Sequence, residues 1–218
     1  MSALTDDAIE RAETTEEFVW DCMPHRIEES HKGTYGKLLL VAGSSRFRGA
    51  AALCTEGALR CGCGIVCLAS VEPVFNSIQG RLPESIFFPC SMDLDGGISG
   101  DNAGALVEEA LNDYSAIAIG SGIGNTESSV KIVRSLIEDT SCHVVIDADG
   151  LNALAPGEHP VPREADPVKN IYVQSDIDFT RIPDKYTAVE NWPSHPSPFP
   201  MVITPHPGEM ARILRMPV

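Results

Sequence analysis

The sequence predicts an α/β domain: a mostly parallel central sheet with helices on both faces. Three observations carry this. Short apolar runs and helix-patterned segments alternate from Lys37 onward. The runs are apolar at every position rather than every second one, as strands covered on both faces require. Glycines and acids collect directly after the runs, at the strand ends where such sheets bind ligands.

The elements follow in order. Residues 1–30 are polar and read as an N-terminal arm or peripheral helix, ahead of a domain over residues 31–218. Lys37-Leu38-Leu39-Leu40-Val41-Ala42-Gly43 reads as a buried strand ending in glycine. Gly49 to Arg60 reads as a helix with a small-residue face, its apolar positions at Ala50, Leu53, Ala58 and Leu59. Ile65 to Ala69 is the next strand, Pro73 to Arg81 a helix and Ser85 to Phe88 a strand. Asp101 is expected to cap a helix running to about Leu111. Ala116 to Ile119 is a strand, Glu127 to Ile137 a helix and His143 to Asp147 a strand. A short helical turn follows over Leu151 to Leu154. Residues 155–200 break the pattern with nine prolines and little periodicity, and read as a proline-rich insertion. Met201 to Ile203 is a last short strand before a helix over Glu209 to Leu214.

Composition narrows the function classes. The apolar fraction of 43% is enough for a packed core in a chain of 218 residues. A formal charge of −15 argues against a nucleic-acid partner, which usually meets a basic face. It leaves room for a phosphorylated small molecule held by backbone N–H groups at helix starts. The acidic N-terminus has no basic-then-apolar signal pattern, and no apolar run approaches the ~20 residues that span a bilayer. A cytoplasmic protein is therefore expected. Seven cysteines without an export signal do not suggest a disulfide framework. Cys61, Cys63 and Cys67 lack the second pair that a metal site needs, so they read as small buried thiols at a helix-to-strand junction, and no metal ligands are assigned.

Four constellations could carry chemistry. Gly120-Ser121-Gly122-Ile123-Gly124-Asn125 directly follows a strand and precedes a helix, so its glycines let backbone approach a ligand closely. A dinucleotide fingerprint would have glycine where Asn125 stands, although Asp147 lies at the end of the next strand, where a ribose partner sits. Asp147-Ala148-Asp149-Gly150-Leu151-Asn152 brings two carboxylates and an amide off one strand end. Asp147, Asp149 and Asn152 could bind ribose hydroxyls, orient a water or hold Mg²⁺ through its water shell, and Asp149 could equally cap the helix that follows. His31-Lys32-Gly33-Thr34-Tyr35-Gly36-Lys37 offers lysines in a glycine-rich approach, either to meet a phosphate or as a solvated turn fixing the strand's start. Thr204-Pro205-His206-Pro207-Gly208-Glu209 is a strand-to-helix turn. Pro207 suits the first helical position, and His206 at the mouth could donate to a substrate oxygen or cap the helix.

Taken together, these motifs resemble the NAD(P)H-hydrate dehydratase family of the ribokinase-like superfamily. The resemblance runs from His31 to about Leu214. It includes Gly49-Ala50-Ala51 and Ala58-Leu59-Arg60-Cys61-Gly62-Cys63-Gly64 beside the glycine, aspartate and His-Pro-Gly-Glu motifs, all in the family's order. It implies a ribokinase-like fold and dehydration of the S epimer of hydrated NADH or NADPH, with ADP or ATP as co-substrate and Mg²⁺. A hydroxyl on the reduced ring is phosphorylated and then lost as phosphate. By the same resemblance Ala50, Gly122 and His206 contact the hydrated cofactor, and a homo-oligomer is implied.

The family's motifs continue beyond the His-Pro-Gly-Glu helix to a Thr-Gly-Gly-Thr-Gly-Asp-type segment. That segment supplies the nucleotide's anion hole and the aspartate taken to activate the hydroxyl. No counterpart precedes Val218. The expectation is a fold incomplete at its C-terminus, with the catalytic residue unassigned. Two alternatives stand beside the enzyme: a non-catalytic nucleotide-binding module, and a vitamin-precursor kinase of the same superfamily, against which the Thr-Pro-His-Pro-Gly-Glu motif speaks.

Overall fold

The computed structural model describes residues 14–23, 26–155 and 201–214. The chain divides into two compact units, residues 1–31 and 32–218. The first holds helix α1 (Glu16–Cys22), started by Thr15, whose Oγ1 accepts the Phe18 N–H at 3.1 Å.

The second unit is an all-parallel six-stranded sheet with helices. In chain order it comprises β1 (Lys37–Val41), α2 (Arg48–Arg60), β2 (Ile65–Val71), α3 (Glu72–Ile78) and β3 (Ile86–Cys90). There follow α4 (Ala103–Ala110), β4 (Ala116–Ile119), α5 (Glu127–Asp139), β5 (His143–Ile146), α6 (Asp149–Leu154), β6 (Met201–Ile203) and α7 (Pro207–Leu214). The spatial order is β3-β2-β1-β4-β5-β6. The chain winds outward from β1 to β3, then crosses back to lay β4 against the other side of β1. The order therefore reverses between β1 and β4, and connections leave those two strands in opposite directions, opening a crevice at their carboxyl ends.

The apolar strands bury as continuous runs demand. Leu39, Val41, Val66, Leu68, Ile117, Val144 and Ile146 are fully or almost fully buried. At roughly 25 cal/mol per Å² of apolar surface, each such side chain contributes about 1.5–3 kcal/mol before entropy is counted. Helix α5 supplies a wide apolar face, Ile132, Val133, Leu136 and Ile137, spaced for one side of a helix and wholly covered.

Three expectations need correction. Helix α2 buries Ala51, Ala52 and Thr55 rather than the face marked by Leu53, which is 69% exposed. Alanine and a threonine whose hydroxyl donates to the Ala51 carbonyl at 2.7 Å sit closer to the sheet than leucine could. Asp101 does not cap α4. It lies in a 3₁₀ turn, Gly100–Asn102, that is itself capped by Ser99, whose Oγ accepts the Asp101 N–H at 3.3 Å. The cysteine trio is not uniformly buried: Cys67 is, Cys63 is half-buried and Cys61 is exposed. The proline-rich stretch falls on residues 156–200, outside the described residues.

The lysine turn lands far from the strands' carboxyl ends. Lys32–Tyr35 forms a 3₁₀ turn at the amino end of β1. There the Lys37 ammonium donates to the Asn112 carbonyl at 3.3 Å and sits 3.8 Å from the centre of the Tyr114 ring. Of the two readings of this segment, the turn that fixes the strand's start is the one built.

Candidate active site

The four connections that leave β1, β4, β5 and β6 meet on one rim of the sheet. Each runs straight into a helix, so the starts of α2, α5, α6 and α7 face this rim. Aligned peptide dipoles give each helix start roughly half a positive charge, which favours an anionic ligand in a strongly acidic chain.

The glycine loop after β4 is held against the segment after β1. Gly43 N–H donates to the Ser121 carbonyl at 2.9 Å, and Gly120 N–H to the Val41 carbonyl at 3.2 Å. Gly122 has φ +72°, and a Cβ there would lie 2.8 Å from the Cβ atoms of Ala50 and Phe47. Only glycine fits both the backbone angle and the gap. Ala50 and Gly122, two of the residues expected at the substrate, are thus in direct contact at the point where the strand order reverses. Gly120 is equally constrained, with φ +127° and an added Cβ 1.9 Å from the Asp147 carbonyl oxygen. Beyond it, the buried Asn125 Oδ1 has no hydrogen-bond partner among the described residues. Such an acceptor costs about 1–3 kcal/mol unless a ligand or water donates to it.

Asp147 stands at the centre of the rim. Its Oδ2 accepts the Ser121 hydroxyl at 2.9 Å and its Oδ1 the Thr204 hydroxyl at 2.7 Å. One carboxylate thereby ties the loop after β4 to the turn after β6. Ala148, the next residue, has φ +47° and ψ −115°, a conformation an L side chain rarely adopts. Strain of this kind persists where surrounding structure fixes it, and it clusters at functional sites.

Asp149 and Asn152 form a second linkage. Asp149 lies in the first turn of α6 rather than capping it; its Oδ2 accepts the Gly124 N–H at 3.0 Å. Asn152 Nδ2 approaches Asp149 Oδ1 at 3.5 Å, and Asn152 Oδ1 accepts from Arg212 Nε at 3.1 Å. With Asp149 only 3% exposed, these bonds run inward from the glycine loop to α7.

His206 is the N-cap of α7 and forms a capping box with Glu209. Its Nδ1 accepts the Gly208 N–H at 3.1 Å, while the Glu209 carboxylate reaches back to the His206 N–H at 3.0 Å. The other ring nitrogen, Nε2, is 3.1 Å from Glu209 Oε1. Nδ1 as acceptor assigns the ring proton to Nε2. The side chain is half exposed, so a ligand oxygen can compete with Glu209 for that proton. Glu209 itself is buried, and burial pushes its carboxyl above the usual range. Contacts with His206 and Arg212 oppose that rise, and the nearby Asp147 charge adds to it. Among the described residues no three His, Cys, Asp or Glu side chains converge as a metal cage.

The sequence did not reveal the Ser121–Asp147–Thr204 bridge. The three residues come together because β4, β5 and β6 are neighbours, with Ile119, Ile146 and Ile203 side by side at the strand ends. Knowing the strand order would have exposed it.

Residues 38–168 match the model of a family described as NAD(P)H-hydrate dehydratase. The chain belongs to that family. A relative from Bacillus subtilis, ADP-dependent (S)-NAD(P)H-hydrate dehydratase, is 35% identical over 204 residues, 94% of this chain and 56% of the relative. The chain spans about half the length of the dehydratase relatives from Listeria monocytogenes and Bacillus subtilis, and 24–33% of the bifunctional repair enzymes it also matches. A crystal structure of ADP/ATP-dependent NAD(P)H-hydrate dehydratase from Bacillus subtilis, co-crystallised with ATP and Mg²⁺, superposes with a TM-score of 0.60 at 31% identity. The match covers 93% of this chain and 56% of that one. A ribokinase-like superfamily protein from Enterococcus faecalis shares the fold at a TM-score of 0.56 and 17% identity, over 65% of this chain and 46% of that one. The fold is thus the ribokinase-like one expected from the motifs. Among the described residues, no helix is long and apolar enough to cross a membrane.

Proposed function

We propose that this chain serves the repair of damaged nicotinamide cofactor: dehydration of the S epimer of hydrated NADH or NADPH, driven by ADP or ATP with Mg²⁺. The observation that carries the reading is the close packing of Gly122 against Ala50 and Phe47 at the reversal of strand order, where glycine leaves main chain rather than a side chain beside the rim. Gly122 lets the reduced ring approach the main chain, Ala50 leaves room for it, and His206 Nε2–H donates to a ligand oxygen. Asn152 acts at the nucleoside side of the same loop, and the buried Asp149 holds that loop through the Gly124 N–H. The nucleotide's terminal phosphoryl group passes to the ring hydroxyl oxygen, releasing AMP or ADP, and the hydroxyl proton goes to water. The C–O bond then breaks, phosphate departs with its electron pair, and loss of the neighbouring ring proton restores the double bond of NADH. The helix starts supply positive potential for the dinucleotide's phosphates. The 31–218 domain works in the cytoplasm as a homo-oligomer, with residues 1–30 as an arm and 155–200 as an insertion.

The test follows the near-ultraviolet absorbance of NADH after mixing the chain with hydrated NADH, Mg²⁺ and either nucleotide. Saturable hydrate binding is expected, and a nucleotide-dependent rise would show that these residues also carry the chemistry. Saturable hydrate binding that His206→Ala weakens, without any rise, would reduce the reading to a binding module. Neither rise nor binding would refute it.

A further inference from the structure

Outside the Ala50, Gly122 and His206 set, the rim contains one side chain that bonds to two of its connections at once. Asp147 accepts a hydroxyl from Ser121, the residue before Gly122, at 2.9 Å. It accepts another from Thr204, two residues before His206, at 2.7 Å. Thr204 is fixed further by its own backbone, whose N–H donates to the Ile146 carbonyl at 3.2 Å. The Asp147 N–H donates to the Ile119 carbonyl at 3.0 Å. The carboxylate therefore stands on a backbone continuous with β4 and β5, while its two oxygens face opposite neighbours.

We propose that Asp147 is a positioning residue: by accepting the Ser121 and Thr204 hydroxyls, it sets the spacing between the Gly122 loop and the His206 turn. This rests on the reading of Gly122 and His206 as hydrate contacts. A carboxylate suits the task because it is acceptor-only, so both hydroxyls must point inward and the two turns are drawn to one centre. The neighbouring geometry agrees. The strained Ala148 backbone directly follows Asp147, and a Cβ on Gly120 would strike the Asp147 carbonyl oxygen. The main chain on both sides of the carboxylate is thus held tightly. Among the described residues, the titratable groups near Asp147 are Cys54 on α2 and Glu209 on α7; burial raises the pKa of both, and the Asp147 charge adds to it. Neither offers a competing donor of comparable strength.

The test uses the full chain with labelled histidine. The His206 ring signal, one of six, is assigned by its loss in His206→Gln. Thr204→Val removes the hydroxyl and keeps the shape; Thr204→Ser keeps the hydroxyl. Hydrated NADH without nucleotide is the binding probe, applied where every variant is fully folded. Thr204→Val and Ser121→Ala are expected to move the His206 signal and to weaken hydrate binding roughly fivefold or more, as loss of a charge-assisted hydrogen bond predicts. Thr204→Ser is expected to restore both readouts. A general loss of stability would not give this pattern, because the affinity of the folded chain would stay constant. In a His206→Ala background, the affinity loss from Thr204→Val should largely vanish. An unmoved signal and unchanged affinity in Thr204→Val would overturn the proposal. If the parent chain binds no hydrate, the signal decides alone. Movement in Thr204→Val but not Thr204→Ser would uphold the clamp while the cofactor-repair reading falls, and no movement would end both.

Discussion

At the scale of single residues, the rim combines strain with buried charge, and each has a measurable consequence. Ala148 holds φ +47° immediately beside Asp147. Glycine adopts that angle without steric cost, so Ala148→Gly should relieve about 1–3 kcal/mol of strain. It should give back about 0.4–1 kcal/mol through the more flexible unfolded chain. A net gain near 1 kcal/mol is expected, read as a higher urea midpoint; a lower midpoint would mean that the backbone is not strained there. Glu209 gives a pH signature. Its buried carboxyl titrates above its ordinary 4.5 in the folded chain. Between the unfolded and the raised folded value, the native state binds more protons than the unfolded one. This group's contribution to stability therefore falls as pH rises through that window. Glu209→Gln should remove that part of the slope. Urea midpoints from pH 4 upward, compared between parent and variant, check it, and parallel curves would sink the assignment.

At the scale of elements, most of the architecture was legible because continuous apolar runs have few alternatives in a chain of this length. The strands β1, β4 and β6 fall where the apolar runs placed them, and Pro207 begins α7 as its missing N–H predicts. Helix faces were less legible. Leu53 looked like a core position, yet the sheet comes close enough that Ala51, Ala52 and Thr55 fill the contact. Hydrophobicity ranks residues by transfer energy, but packing distance decides which side chain fits. Ala50 and Gly122 were brought to one ligand only by the family resemblance, and their contact, like the Asp147 bridge, depends on lateral strand order. Capping offers a direct test of one element. Thr126 starts α5, with its Oγ1 accepting the Ser129 N–H at 3.2 Å. Thr126→Ala should cost about 1–2 kcal/mol, and Thr126→Ser should recover most of it. Because α5 begins directly after the glycine loop, a fraying first turn should also loosen Gly124 from Asp149, visible as faster amide exchange at Gly124. Unchanged exchange would show that Asp149 alone fixes the loop.

At the scale of the whole molecule, charge and site pull in opposite directions. The chain carries a formal charge of −15, from 31 acidic and 16 basic residues, yet the proposed ligands are themselves anions. Attraction must come from short-range features: N–H groups at the starts of α2 and α5, whose partial charges fade within a turn. Repulsion from the surface acids reaches further, over a Debye length of ~30 Å at 0.01 M salt and ~8 Å at 0.15 M. Raising ionic strength across that range should therefore screen the repulsion more than the attraction. Association of ADP or hydrated NADH should become faster, the reverse of the usual slowing for oppositely charged partners. Dissociation, governed by the short-range contacts proposed for Gly122, Ala50 and His206, should change little. Stopped-flow association rates at the two salt concentrations separate these terms. A rate that falls with salt would mean that the field at the rim is positive even at long range, and that the acids lie on surfaces the approaching ligand does not sense.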